Sequence, residues 1–100
     1  MVVVRFKVRC QPGKSDAVLA AFKNVVSSSR GLDGVISFDI GRDIGDPDAF
    51  IATEVFENRD ALVRQEALPA VTDALAVLGD SLSAEPEATI FHVSSSEPGG

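Results

Sequence analysis

Apolar and polar positions alternate along residues 2–10. Val4, Phe6, Val8 and Cys10 fall on one side, and Val3, Arg5, Lys7 and Arg9 on the other. This is the pattern of a strand with one apolar and one basic face. "QPGKS" breaks it. Ser15 is placed to cap a helix, and Asp16 in the first turn favours the helix dipole. From Asp16 to about Ser29 the period lengthens, with Val18, Phe22, Val25 and Val26 at helical spacing and Lys23 and Asn24 on the wet side. Arg30 followed by Gly31 marks the end of that helix.

Alternation returns in "GVISFDIGRDI", which sets Ile36, Phe38 and Ile40 against Ser37, Asp39 and Gly41. "GDPD" reads as a turn. In "AFIATEVFE", Phe50, Ala52, Glu54 and Phe56 share one face, and Ile51, Thr53 and Val55 share the other. Apolar groups on both sides predict a strand buried on both faces. Asn58 can cap a second helix carrying Ala61, Leu62 and Gln65 on one side. Pro69 ends that segment and suits the first turn of the next, which carries Val71, Ala74, Leu75 and Leu78 and stops at Gly79. "EPEATIFHVS" supplies a last strand, with Thr89, Phe91 and Val93 opposite Ile90 and His92.

The order β-α-β-β-α-β predicts an α+β, ferredoxin-like fold: a four-stranded antiparallel sheet with both helices on one face. Residues 1–94 form one domain, and the small, polar, Pro/Gly-rich 95–100 read as a flexible tail. The uncovered sheet face carries Arg5, Lys7, Arg9, Ser37 and Asp39. A small chain needs extra burial, so a second copy packed on that face is expected, with Arg or Lys meeting Asp or Glu across the join.

Composition narrows the function. Fifteen acidic against nine basic residues give a net charge of −6, which argues against nucleic acid and against an anionic membrane surface. The run "MVVVRFKVRC" is neither a signal peptide nor a membrane span. Cys10 is the single cysteine, so no intrachain disulfide forms, which fits a reducing cytoplasm. One His and one Cys make no zinc site of the usual kind.

The stretches "RFKVRCQPGKSDAVLAAF", "ATEVFENRDALVRQEALPAV" and "ATIFHV" resemble the antibiotic biosynthesis monooxygenase superfamily of dimeric α+β barrels. Glu54, Val55, Asn58, Ala61 and Leu62 match its block E-[VI]-[WY]-x-[DN]-x-x-A-[LF]-x-x-H. The chain departs from that block at Phe56, where many members have Trp or Tyr, and at Gln65, where many have His. The resemblance implies a homodimer. It also implies a cofactor-independent oxygenase acting on a small aromatic or quinol-like ligand, with no metal. Haem degradation, which similar folds perform with an Asn, a Trp and an axial His, is not expected here.

Cofactor-free oxygenation needs an apolar pocket, a donor for a developing oxyanion and a proton acceptor. His92, whose unperturbed pKa lies near neutrality, and Gln65, at the family's polar pocket position, are the candidate catalytic residues. Phe22, Phe38, Phe56 and Arg64 are the candidate substrate contacts. Each has a plainer reading: phenylalanines as core, Arg64 as a solvated charge, Gln65 as a rim residue, His92 as structural or dimer-facing. Cys10 reads as a small core residue. Glu54 is expected to pair with Arg5 or Arg9, the alternative being a raised pKa. A non-catalytic dimeric module that binds a small ligand or scaffolds an assembly remains open beside the enzyme.

Overall fold

A computed structural model describes residues 1–100. The elements run β1 (Val2–Arg9), α1 (Ser15–Arg30), β2 (Val35–Asp43), β3 (Asp46–Phe56), α2 (Arg59–Glu66), α3 (Pro69–Gly79) and β4 (Glu87–His92). The strands form one antiparallel sheet in the order β2-β3-β1-β4, as the ferredoxin-like reading requires. No helix is long and apolar enough to cross a membrane.

Strand pairing fixes which side chains share a face. Val4 lies opposite Glu54 and Ile90, and Phe38 lies opposite Glu54 in turn. The helix-facing side therefore carries Val2, Val4, Phe6 and Val8 from β1 and Phe50, Ala52, Glu54 and Phe56 from β3. Onto it α1 sets the buried Val18, Phe22 and Val25, spaced four and three residues apart. Phe22 meets Phe50 edge-on with ring centroids 5.4 Å apart, and meets Phe6 at 5.8 Å. Arg42 caps this end, its guanidinium 5.1 Å above the Phe50 ring.

Several local expectations hold. Asn58 Oδ1 accepts from the Ala61 amide at 3.0 Å and starts α2, whose buried residues are Ala61, Leu62 and Gln65. Pro69 opens α3. Cys10 is buried and free. Gly34 is required by two constraints at once. Its φ is +86°, and a Cβ there would lie 2.7 Å from the Ala61 Cβ, so only glycine lets the chain pass beneath α2.

Other expectations are corrected. A bulge between Val35 and Ser37 puts Val35, not Ile36, opposite Phe56, and leaves Ile36 54% exposed. The β2–β3 turn is Ile44–Gly45, tightened by Asp43 Oδ1 accepting from the Gly45 amide, so "GDPD" mostly lies in β3. Ser15 is the first residue of α1 rather than its cap. Lys14 holds the cap position and makes no side-chain capping bond. Strand β3 of the single subunit is roofed on the helix side only. On the other side Ala49 is buried, Ile51 and Val55 are half-buried and Thr53 is exposed.

Candidate functional site

The helices do not fill the space above the sheet. Pro69 separates α2 from α3, and a cavity of about 170 Å³ lies beneath the break. Its floor is Val4, Phe6, Phe38, Ile40 and Glu54. Its roof comes from Phe22 and Val25 of α1, Leu62 and Gln65 of α2, and the inner face of α3. Glu66 and Leu75 line it while remaining exposed, and so mark its opening.

Two polar groups reach this apolar chamber from buried positions. Glu54 is 5% exposed, and no protein group hydrogen-bonds or ion-pairs with its carboxylate. Burial pushes its pKa up to about 7 from an ordinary 4.5, and the nearby Glu66 carboxylate pushes the same way. Gln65 is 4% exposed, and its Nε2 donates to Ser29 Oγ at 3.1 Å. Ser29, at the end of α1, is fully buried, so this bond fixes the amide plane. The Gln65 Oε1 has no protein donor and is not sealed in the interior.

Glu54 therefore corrects the expected pairing. Arg5 and Arg9 project from the opposite face of the sheet, so the sheet itself separates them from the carboxylate. Arg9 instead meets Glu87 at 3.5 Å and Lys7 meets Asp43 at 3.1 Å, both within one subunit. A carboxylate held near neutrality in an apolar pocket is suited to taking a proton and returning it.

The structure brings together Gln65, Phe22 and Phe38 of the residues singled out in the sequence. Phe56 is fully buried but packs with Val2, Ala61 and Leu62, outside the cavity wall. Arg64, one residue before Gln65, points a different way around α2, and its guanidinium donates to the Asp33 carbonyl at 3.3 Å. His92 lies opposite Val2 on β4, an edge strand whose main neighbour is β1. It is exposed and off the cavity, because the helix roof ends before reaching β4. Glu54 was expected to pair, and the alternative, a raised pKa, is what the structure supports, which makes it a site residue that the candidates from the sequence did not include. Its signal was an acid between two inward-facing apolar positions, Ala52 and Phe56.

Solved structures resemble the whole chain. A crystal structure of an antibiotic biosynthesis monooxygenase is 20% identical and superposes with a TM-score of 0.86, covering 95% of this chain and 100% of that one. A Mycobacterium tuberculosis protein, Rv0793, is 20% identical with a TM-score of 0.88, covering 97% of this chain and 98% of its own. PA3566 from Pseudomonas aeruginosa is 17% identical with a TM-score of 0.84, covering 94% of each chain. Such identities carry the fold alone. No curated protein matches. The family model for antibiotic biosynthesis monooxygenase matches residues 1–77, from the first strand almost to the end of the last helix and across every floor strand of the cavity. The chain therefore belongs to the antibiotic biosynthesis monooxygenase family.

Proposed function

We propose that the protein is a cofactor-independent monooxygenase that oxidises a small aromatic, quinol-like substrate between sheet and helices. The observation that carries this reading is Glu54: an unpaired, buried carboxylate with its pKa near 7, facing an apolar cavity. Glu54 removes the phenolic proton. The phenolate gives an electron to dioxygen, and the resulting radicals join as a C–O bond at a ring carbon bearing hydrogen. The protonated Glu54 returns its proton to the peroxide. Loss of the ring hydrogen as a proton then breaks the O–O bond. One oxygen stays as a quinone carbonyl and the other leaves as water. Phenol plus O2 thus gives quinone plus water. Gln65, fixed by Ser29, orients the ring oxygen, while Phe22 and Phe38 hold the ring and exclude water. This reading moves the proton-accepting role from His92 to Glu54.

The working unit in this proposal is a cytoplasmic homodimer with the bare sheet faces joined. Val3, Ile51 and Val55 are half-buried there, Phe91 is 48% exposed, and Arg5 has no carboxylate partner in its own subunit. Sedimentation of a clean monomer at micromolar concentration would contradict the dimer.

Oxygen uptake across a panel of hydroquinones and phenols, with ¹⁸O₂ followed into product, tests the reaction. One labelled atom per turnover is expected, with a fall of about 10²-fold or more in Glu54→Gln. Absence of turnover across the panel would leave the second reading, a non-catalytic dimeric module of the same fold that scaffolds an assembly. A specific observation favours it: 170 Å³ is below the roughly 300–1,000 Å³ usual for ligand pockets.

A further inference from the structure

We infer that the cavity selects a single-ring, uncharged aromatic whose hydroxyl donates to Glu54, and that it rejects anionic ligands of the same shape. This deepens the oxygenase reading and rests on it for the identity of the site. The binding behaviour can be measured without any turnover.

Charge is the first observation. Strands β1 and β2 and helices α1 and α3 present only hydrocarbon to the cavity, such as Phe6, Phe38, Phe22 and Leu78. The only titratable groups facing it are Glu54 from β3 and Glu66 from α2, and no Lys, Arg or His lines it. Three arginines on the surrounding elements are engaged elsewhere. Arg30 holds the Phe38 carbonyl and Asp39, Arg42 holds the Pro47 carbonyl, and Arg64 holds the Asp33 carbonyl. A carboxylate, sulfonate or phosphate entering here would lose its water and meet Glu54 with nothing to neutralise it. A hydroxyl supplies what the carboxylate lacks, a donor, in a charge-assisted hydrogen bond.

Size is the second. An apolar protein cavity of about 150 Å³ is known to hold benzene. The 170 Å³ here suits one ring with one or two small substituents. A fused second ring has to project past Leu75 and Glu66 into water.

Titration calorimetry on the intact protein at pH 8, where Glu54 is mostly ionised and a phenol is neutral, tests this with four probes: 4-methylphenol, 4-methylbenzoate, 4-methylbenzylamine and 2-naphthol. The expected result is 4-methylphenol bound at least about 30-fold more tightly than 4-methylbenzoate. Glu54→Gln is expected to lower that ratio by about tenfold. The inference is overturned if 4-methylbenzoate binds as well as 4-methylphenol, if the ratio survives Glu54→Gln, if the ammonium binds more tightly than the phenol, or if 2-naphthol binds tenfold more tightly than 4-methylphenol. Selective binding with no oxygen uptake supports the inference and removes the oxygenase. Turnover without selectivity removes the inference and leaves the oxygenase standing.

Discussion

Glu54 and Asp43 are carboxylic acids on neighbouring strands of one sheet, and their surroundings drive them in opposite directions. Asp43 sits on the bare side. The Gly45 amide and then the Lys7 ammonium hold its pKa below the ordinary 3.8. Glu54 sits under the helices with no donor, and desolvation holds its pKa near 7. On the bare side Asp43 has a cationic partner and water beside it. On the roofed side the fold places a carboxyl group with no protein partner and little contact with water. Such a group opposes folding whenever it is charged, so its presence in a largely hydrocarbon chamber is better explained by chemistry than by stability.

The contrast between the faces is broken most severely by removing an aromatic ring from each. Phe38 is 1% exposed in the floor of the cavity, and Phe91 lies on the bare face. Phe38→Ala should destabilise the fold by about 3–5 kcal/mol, through lost burial and an enlarged void. Phe91→Ala should change the stability of a lone subunit by only about 0.5 kcal/mol or less, as an exposed substitution does. It should, however, weaken self-association. Urea unfolding of both variants at a concentration below dimerisation reads the first difference, and sedimentation reads the second. Equal losses in unfolding free energy would mean that the two faces are not as different as the burial pattern says.

The next largest effect is a slope in stability against pH. Between about pH 4.5 and 7 the folded state binds the Glu54 proton and the unfolded state does not, so stability falls as pH rises through this window. At about 1.4 kcal/mol per unit, the loss by pH 8 approaches ~3 kcal/mol. Glu54→Gln, which keeps the shape and never ionises, should flatten the slope and leave the protein about 1–3 kcal/mol more stable at pH 8. The gain in stability and the expected loss of turnover have opposite signs. A purely structural defect could not produce that combination. If the variant instead unfolds more easily at pH 8, Glu54 has a stabilising partner and the candidate site loses its base.

Much of this was legible in the chain. Alternation and helical spacing place all four strands and the two helical regions, Asn58 and Pro69 mark their junctions, and Gln65 falls on the buried side of α2. What escaped depends on information that a linear pattern lacks. The bulge at Ile36 preserves apparent alternation while swapping which residue faces the core, because one extra residue shifts parity without changing composition. The face of His92 is readable, but the extent of the roof above it is set by how the helices pack. Glu54 was read as a partner for Arg5 or Arg9, with a raised pKa as the alternative, because a buried charge usually finds a mate. Parity separates them, since those arginines leave the strand on the other side. The cavity itself, a volume left between packed elements, has no signature in the chain.

The smallest effect expected is on the bare face, and it sharpens the comparison by its sign. Asp43 keeps its proton off down to a lower pH in the folded state than in the unfolded one. Its contribution is therefore complete above about pH 4 and is lost as pH falls through the folded value. Asp43→Asn should leave the neutral and alkaline profile unchanged and remove only this acid limb. Glu54→Gln changes the limb from 4.5 to 7 and leaves the acid one alone. The pair Lys7–Asp43 is partly solvent-facing, so salt should shrink the Lys7 share of the Asp43 effect by screening and leave the Gly45 share, while the Glu54 slope stays nearly intact because desolvation is its main cause. Unfolding curves of the two variants from pH 3 to 8, each at low and high salt, separate these contributions. A Glu54 slope that collapses in salt would show that Glu66, and not burial, governs the carboxylate, and the chamber would then be wetter than its hydrocarbon lining implies.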